Sequence, residues 1–304
     1  MTSASEASNP AYIPARSQSG DQAQGNQFQP KSQSQSQSQS RRRSQSAGSR
    51  RPASAPAWAL AALAATALAL IAAFVLAPAP LAAATGPHGD FGSERALSNA
   101  FGKAFVGYWN SGDPHFPAGL QSIVDYWFRY HVVKAAAASA LLAVLVVISV
   151  LLRRPAGALV AVLALFAAAL AMANVQGALA PFSSLLSMLP TGAPHGDLAT
   201  AVAQIREHLA HYPNQGGQPA PAVKVMVDDF GAYHAVVAVA ASLIAVILIA
   251  LSVLSWKHRA QRGMIWFGIV FTLSSLAVLV IAAANIATTA DPAPALLAFF
   301  QGSW

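Results

Sequence analysis

The chain has no cysteine. Disulfides, thiolate zinc sites, iron–sulfur clusters and a cysteine nucleophile are therefore excluded, and the sequence carries no mark of its redox compartment. Charge is scarce too: 10% of the 304 residues are Asp, Glu, Lys or Arg and 55% are apolar, against roughly 25% and 45–50% in soluble domains. That balance belongs to a membrane protein. Common chemical motifs are missing as well, with no phosphate-binding glycine loop, G-x-S-x-G turn or dinucleotide fingerprint. The segment "EHLAH" (207–211) does not have the zinc-protease order, because its glutamate precedes both histidines.

What is present is length and apolarity. Five stretches, residues 58–77, 132–152, 156–173, 235–255 and 264–284, reach the roughly 20 apolar residues that cross a bilayer. None carries an ionisable side chain in its middle; Lys134 lies near one end, where its ammonium reaches the interface. A proton relay or ion pump needs such groups at depth, so energised transport is disfavoured.

The basic residues set an expected orientation, because Lys and Arg beside a span stay in the cytoplasm. Arg41, Arg42, Arg43, Arg50 and Arg51 precede the first span. Arg153 and Arg154 link the second to the third, and Lys257, Arg259 and Arg262 link the fourth to the fifth. On this model 12 basic and 2 acidic residues lie inside, against 6 and 9 outside. The net charge of +7 therefore reflects topology in the cell membrane, N-terminus cytoplasmic and C-terminus extracytoplasmic, and not nucleic-acid binding.

Residues 1–56 are rich in Ser, Gln, Arg and Pro and cannot bury enough apolar surface to offset chain entropy, which predicts a disordered cytoplasmic tail. Arg50 and Arg51 before an apolar run suggest a twin-arginine signal, but Pro52, Ala53 and Ser54 follow them. The run is also longer than the 7–15 residues of a removed signal, so a retained anchor is expected.

Shifting the sequence by 103 residues lays residues 123–154 on residues 226–257. Val124/Val227, Asp125/Asp228, Tyr130/Tyr233, His131/His234 and Ser149/Ser252 coincide. "PHGD" occurs at 87–90 and 194–197, and "ANVQGALAPFSSLL" from Ala173 parallels "ANIATTADPAPALL" from Ala284, pairing Asn174 with Asn285 and Pro181 with Pro292. Three separated matches in one order point to duplication. The expected architecture is an all-α integral membrane protein with five transmembrane helices and a tandem parallel repeat of span, outer segment and span. Residues 1–56 form the tail, 57–154 and 155–257 the two units (outer segments 78–131 and 174–234), and 258–304 the fifth span and a short outer tail. A pseudo-twofold along the membrane normal would relate the units. Small residues four apart, Ala136/Ala140, Ser139/Ala143, Ala238/Ser242 and Ala241/Ala245, suggest that the returning spans pack on each other.

Each outer segment carries an amphipathic helical stripe after PHGD. Leu97, Phe101, Ala104, Phe105 and Tyr108 form one, and Leu198, Val202, Ile205, Leu209 and Tyr212 the other. Such helices would lie over the span ends or against each other. The turn-forming loops after them lead into a helix that carries the Val-Asp pair.

Seven of the eight histidines, all but His258, fall outside on this topology. His88, Asp90, Asp125 and His131 in one unit, and His195, Asp197, Asp228 and His234 in the other, form candidate sites for a divalent metal such as zinc. The competing reading is architectural. Asp90 and Asp197 stand where an N-cap belongs, Asp125 can pair with Arg129 four residues on, and Trp127, Tyr130 and Tyr233 suit an aromatic belt. On one helix Asp and His six residues apart point about 120° from each other, so they do not converge unaided. His208 and His211 read as a solvated face, and Asn174 and Asn285 as hydrogen bonders between helices. The leading expectation is a non-enzymatic protein, in contact with the lipid bilayer, whose duplicated outer face binds a protein partner or self-associates. A metal-binding protein and an oligomeric transporter component are the alternatives.

Overall fold

A computed structural model describes residues 56–86, 91–152, 154–190, 194–213, 219–261 and 263–303. The proposed tail and the first PHGD, with His88 and Asp90, lie outside these residues. Every element is α-helical: α1 (Ala57–Leu76), α2 (Pro78–Ala84), α3 (Glu94–Ser111), α4 (Ala118–Leu152), α5 (Arg154–Leu179), α6 (Pro181–Leu186), α7 (Asp197–Ala210), α8 (Pro221–Lys257), α9 (Met264–Ala290) and α10 (Pro292–Phe300). Five of them, α1, α4, α5, α8 and α9, are long and apolar enough to cross a membrane, as the composition predicts.

The second and fourth spans are much longer than their apolar runs. At 1.5 Å per residue, α4 with 35 residues and α8 with 37 extend about 52 and 56 Å, while a bilayer core is about 30 Å thick. Their N-terminal ends therefore project beyond it by several turns. The Val-Asp pairs lie on helices that the loops lead into, as expected, and each of these helices runs unbroken through Tyr-His into the span.

Around the projecting ends the shorter helices build a water-soluble type of core. Phe101, Phe105, Tyr108, Leu120, Phe182, Leu185, Leu186, Ile205, Met226, Leu296 and Phe300 are fully buried and belong to one cluster. Each such side chain contributes roughly 1.5–3 kcal/mol when removed from water. Phe182 is its centre, with Phe116, Tyr108, Phe105 and Phe101 rings at 4.7, 6.1, 6.4 and 6.4 Å. The predicted stripes of α3 and α7 are the faces buried here, and the two helices meet each other, with Trp109 Nε1 donating to Gln204 Oε1 at 2.6 Å.

Caps depart from expectation. Ser93 is the N-cap of α3, its Oγ accepting from Ala96 N at 3.2 Å. Gly196, at φ 59°, is the N-cap of α7, and Asp197 is already in the first turn, where its charge still complements the helix dipole.

In the bundle the major interfaces join α4 to α5 and α8 to α9, and α5 also meets α8 and α9. The predicted packing of α4 on α8 is thus replaced by packing of α5 against the second hairpin. The sequence shows why: α5 buries Ala158, Ala161, Ala164, Ala167 and Ala171 on one stripe, and small residues let neighbouring backbones approach closely. Tight approach recurs at both hairpin turns. A Cβ on Gly157 would stand 2.6 Å from the Ser149 carbonyl oxygen, and one on Gly268 3.1 Å from the Trp256 ring. Bulky side chains such as Leu159, Val239, Leu243 and Val280 face outward, as lipid contact requires. Helix α1 buries only Ala67 and leans on α4.

Candidate functional site

Where the head meets the bundle, each hairpin holds a histidine against an asparagine. His131 on α4 bonds through Nδ1 to Asn174 Oδ1 on α5 at 3.0 Å, and His234 on α8 bonds through Nδ1 to Asn285 Oδ1 on α9 at 2.8 Å. An amide oxygen only accepts, so Nδ1 donates in both, and the lone pair of each neutral ring resides on Nε2. The amide orientation is set by its other end: Asn174 Nδ2 donates to Leu170 O at 2.7 Å, and Asn285 Nδ2 to Ile281 O at 2.8 Å. An aromatic ring stands edge-on one turn before each imidazole, Trp127 at 4.6 Å and Phe230 at 4.6 Å, with Tyr130 and Tyr233 at 5.6 and 5.5 Å. The expectation that Asn174 and Asn285 bond between helices is met, with histidine as the partner in both.

Aromatic and polar groups close round the first pair. Trp127 stacks on Tyr130 at 5.0 Å and donates Nε1–H to Ser184 Oγ at 2.5 Å. Gly177 makes the space, since a Cβ there would lie 2.7 Å from the His131 ring. His131 Nε2 is buried and has no hydrogen-bond partner among the described residues. Of the rings at 126, 127, 128 and 130, Phe128 is exposed, Trp127 and Tyr130 are half-buried and Tyr126 is buried.

Among the described residues, Asp125, Asp197 and Asp228 do not join the histidines. Asp125, exposed, accepts from Gln121 Nε2 at 2.8 Å, while Arg129, its predicted partner, donates Nε–H to Ala82 O at 3.1 Å at the end of α2. Asp228, also exposed, pairs with Lys224 at 2.5 Å. His195 and Asp197 are exposed at the start of α7. Among the described residues no three His, Asp or Glu side chains gather as a metal would require. His208 lies edge-on to Trp109 at 5.7 Å, and His211 Nδ1 bonds to Glu207 O at 2.9 Å.

Asp229, one position from the highlighted Asp228, was not singled out by the repeat and is the aspartate with an architectural role. Its Oδ2 accepts from Ser183 N at 2.8 Å and Ser183 Oγ at 2.5 Å. Helix α6 begins with Ala180 at its N-cap and Pro181 at N1, so it has no side-chain cap of its own, and a carboxylate from α8 supplies the acceptor. That missing local cap is the sequence signal that a distant acceptor is needed. With Trp127 bonded to Ser184, α6 is held from both hairpins.

Charge at the head's periphery is ordinary. The backbone N–H and then the ring of His115 hold the Asp113 carboxyl below the usual carboxylate range. Burial, and secondarily Asp113, push the Tyr108 phenol up to about 12. Its hydroxyl has no hydrogen-bond partner among the described residues.

The geometry defines a class, a multi-pass helical membrane protein with a folded helical head on one side. Comparison with protein-family models, with curated proteins and with solved structures yields no match.

Proposed function

We propose that the chain is a non-enzymatic protein of the cell membrane that acts by assembly: a duplicated pair of hairpins carries an extracytoplasmic head, and the membrane face of α4 associates with a second copy. The observation that carries this reading is the pair of His–Asn bonds. They engage the two histidines best placed for chemistry in structural contacts between helices, and His131 has an amide, not a nucleophile or a carboxylate, at its bonded nitrogen. Their correspondence across the two hairpins, together with the Gly157/Gly268 and Pro181/Pro292 positions, supports duplication. The series α3–α6 and α7–α10 repeat one order of helix kinds, so duplication is better framed as stripe helix, long helix, span and proline-started helix, with α1 as an addition.

Orientation rests on the basic links. Arg153–Arg154 and Lys257–Arg262 join the ends of α4 and α8 opposite the head, which places the head outside if the links stay inside. The association surface is Ala136, Ser139, Ala140 and Ala143, all exposed on α4. The matching positions of α8 keep Ser242 but hold the bulkier Val239, Leu243 and Val246 in place of alanines, so only the first hairpin offers a close-approach seam. Blue-native electrophoresis of the full chain extracted in mild detergent tests this: a discrete homo-oligomer is expected, weakened by Ala140→Leu, and an isolated monomer overturns it. If elemental analysis finds stoichiometric zinc that a His88/His131/His195/His234 alanine variant loses, the metal-binding alternative replaces it.

A further inference from the structure

Beside the His131 pair lies a cleft of about 400 Å³ between α2, the start of α3 and α4, within the 300–1,000 Å³ range of small-molecule sites. Its walls are amphipathic. Tyr126, Trp127 and Tyr130 provide aromatic surface, Ala79 an apolar edge, and Glu94 and Lys134 one charge of each sign. Among the described residues neither of these charges has an ion-pair partner. Lys134 instead holds its ammonium over the rings of Phe74 and Tyr130, 4.6 and 5.3 Å from their centroids. Glu94 acts on Lys134 through space without a direct ion pair, so the ammonium keeps hydrogen-bond donors to offer an anion.

The position selects the source of the ligand. Phe74 lies near the end of α1, and Lys134 lies midway along α4 where its apolar run begins and Val132 is exposed. The cleft therefore stands at the level of lipid head groups. A lining with one cation and one anion is balanced for a zwitterion: an anionic head group meets Glu94, and a simple cation meets Lys134.

We propose that this cleft binds the phosphoethanolamine head group of a phospholipid from the adjoining leaflet. Lys134 takes the phosphate, and the primary ammonium donates to Glu94 and lies against the tyrosine faces. The site is independent of the assembly reading and survives its failure.

Native mass spectrometry of the full chain, delipidated and returned to micelles of defined lipid, provides the test. Phosphatidylethanolamine is expected to remain as a single adduct at least tenfold tighter than phosphatidylglycerol. Lys134→Gln and Glu94→Gln each weaken it at least fivefold, whereas Lys134→Arg retains it. Equal retention of the two lipids by the unaltered protein overturns the proposal whatever the variants do. Unchanged retention in both Gln variants overturns it too, and phosphatidylcholine bound as tightly as phosphatidylethanolamine overturns the role of Glu94.

Discussion

Gly177 and Gly107 are both helical glycines, and the structure predicts that alanine has opposite effects at the two. At Gly107 in α3 an added Cβ meets nothing within 4 Å, so Gly107→Ala should gain the helix propensity of about 0.8–1 kcal/mol. At Gly177 the Cβ falls 2.7 Å from His131 Nδ1 and Cε1. The ring has little room to retreat, because Asn174 holds Nδ1 at 3.0 Å and Trp127 stands edge-on at 4.6 Å. Overpacking costs typically 1–3 kcal/mol, and giving up a bond between membrane helices adds about 0.6 kcal/mol. Set against the same propensity gain, Gly177→Ala should destabilise by about 0.6–2.8 kcal/mol. Thermal unfolding in detergent, followed by circular dichroism, should show the melting temperature falling by roughly 2–4 °C per kcal/mol, while Gly107→Ala raises it. Adding His131→Ala to Gly177→Ala should relieve the clash, so the double variant loses less than the sum of the singles. If Gly177→Ala melts no lower than the parent, the enclosure of His131 is wrong.

Tyr108 buries a hydroxyl that has no hydrogen-bond partner among the described residues, so Tyr108→Phe should stabilise by about 1 kcal/mol at neutral pH. Because the folded phenol titrates at about 12 and the unfolded one near 10.0, the neutral form is favoured by folding; stability is intact below pH 10 and falls as pH rises toward 12. Denaturant titration at pH 8, 10 and 11.5 checks this, and the decline should shrink in the Phe variant. Asp229→Ala leaves Ser183 without its acceptor and should cost about 2 kcal/mol in the same melts; Asp228→Ala, on an exposed pair, should leave them unchanged. For orientation, Ser111→Cys in the head should be labelled by an impermeant maleimide from outside the cell. Gln261→Cys in the α8–α9 link should be labelled only after permeabilisation.

The spans were legible because apolarity over 20 residues has few meanings, and the α3 and α7 stripes because burial imposes a 3.6-residue period. The projecting turns of α4 and α8 were only half legible. Residues 118–131 of α4 mix Leu120, Ile123 and Val124 with Gln121, Asp125 and Arg129, a helical pattern that an apolar-run criterion stops short of. His131 and Asn174 could be recognised as repeated polar residues, but their bond depends on how α5 crosses α4. Pro181 and Pro292 stood out as matched positions and not as the first residues of helices, though proline at N1 is a known start signal. The lipid-level cleft had no sequence signal, since Glu94 and Lys134 are brought to one cleft only by folding α3 back on α4.

Because the chain has no native cysteine, disulfide trapping in intact membranes is free of background and tests assembly through α4 most directly. Single cysteines at Ala136 and Ala140, which a symmetric seam sets opposite their own copies, should each yield a covalent dimer on mild oxidation. Leu159→Cys, exposed on α5, should not. Absence of dimer at both α4 positions, or equal dimer at all three, would contradict the account.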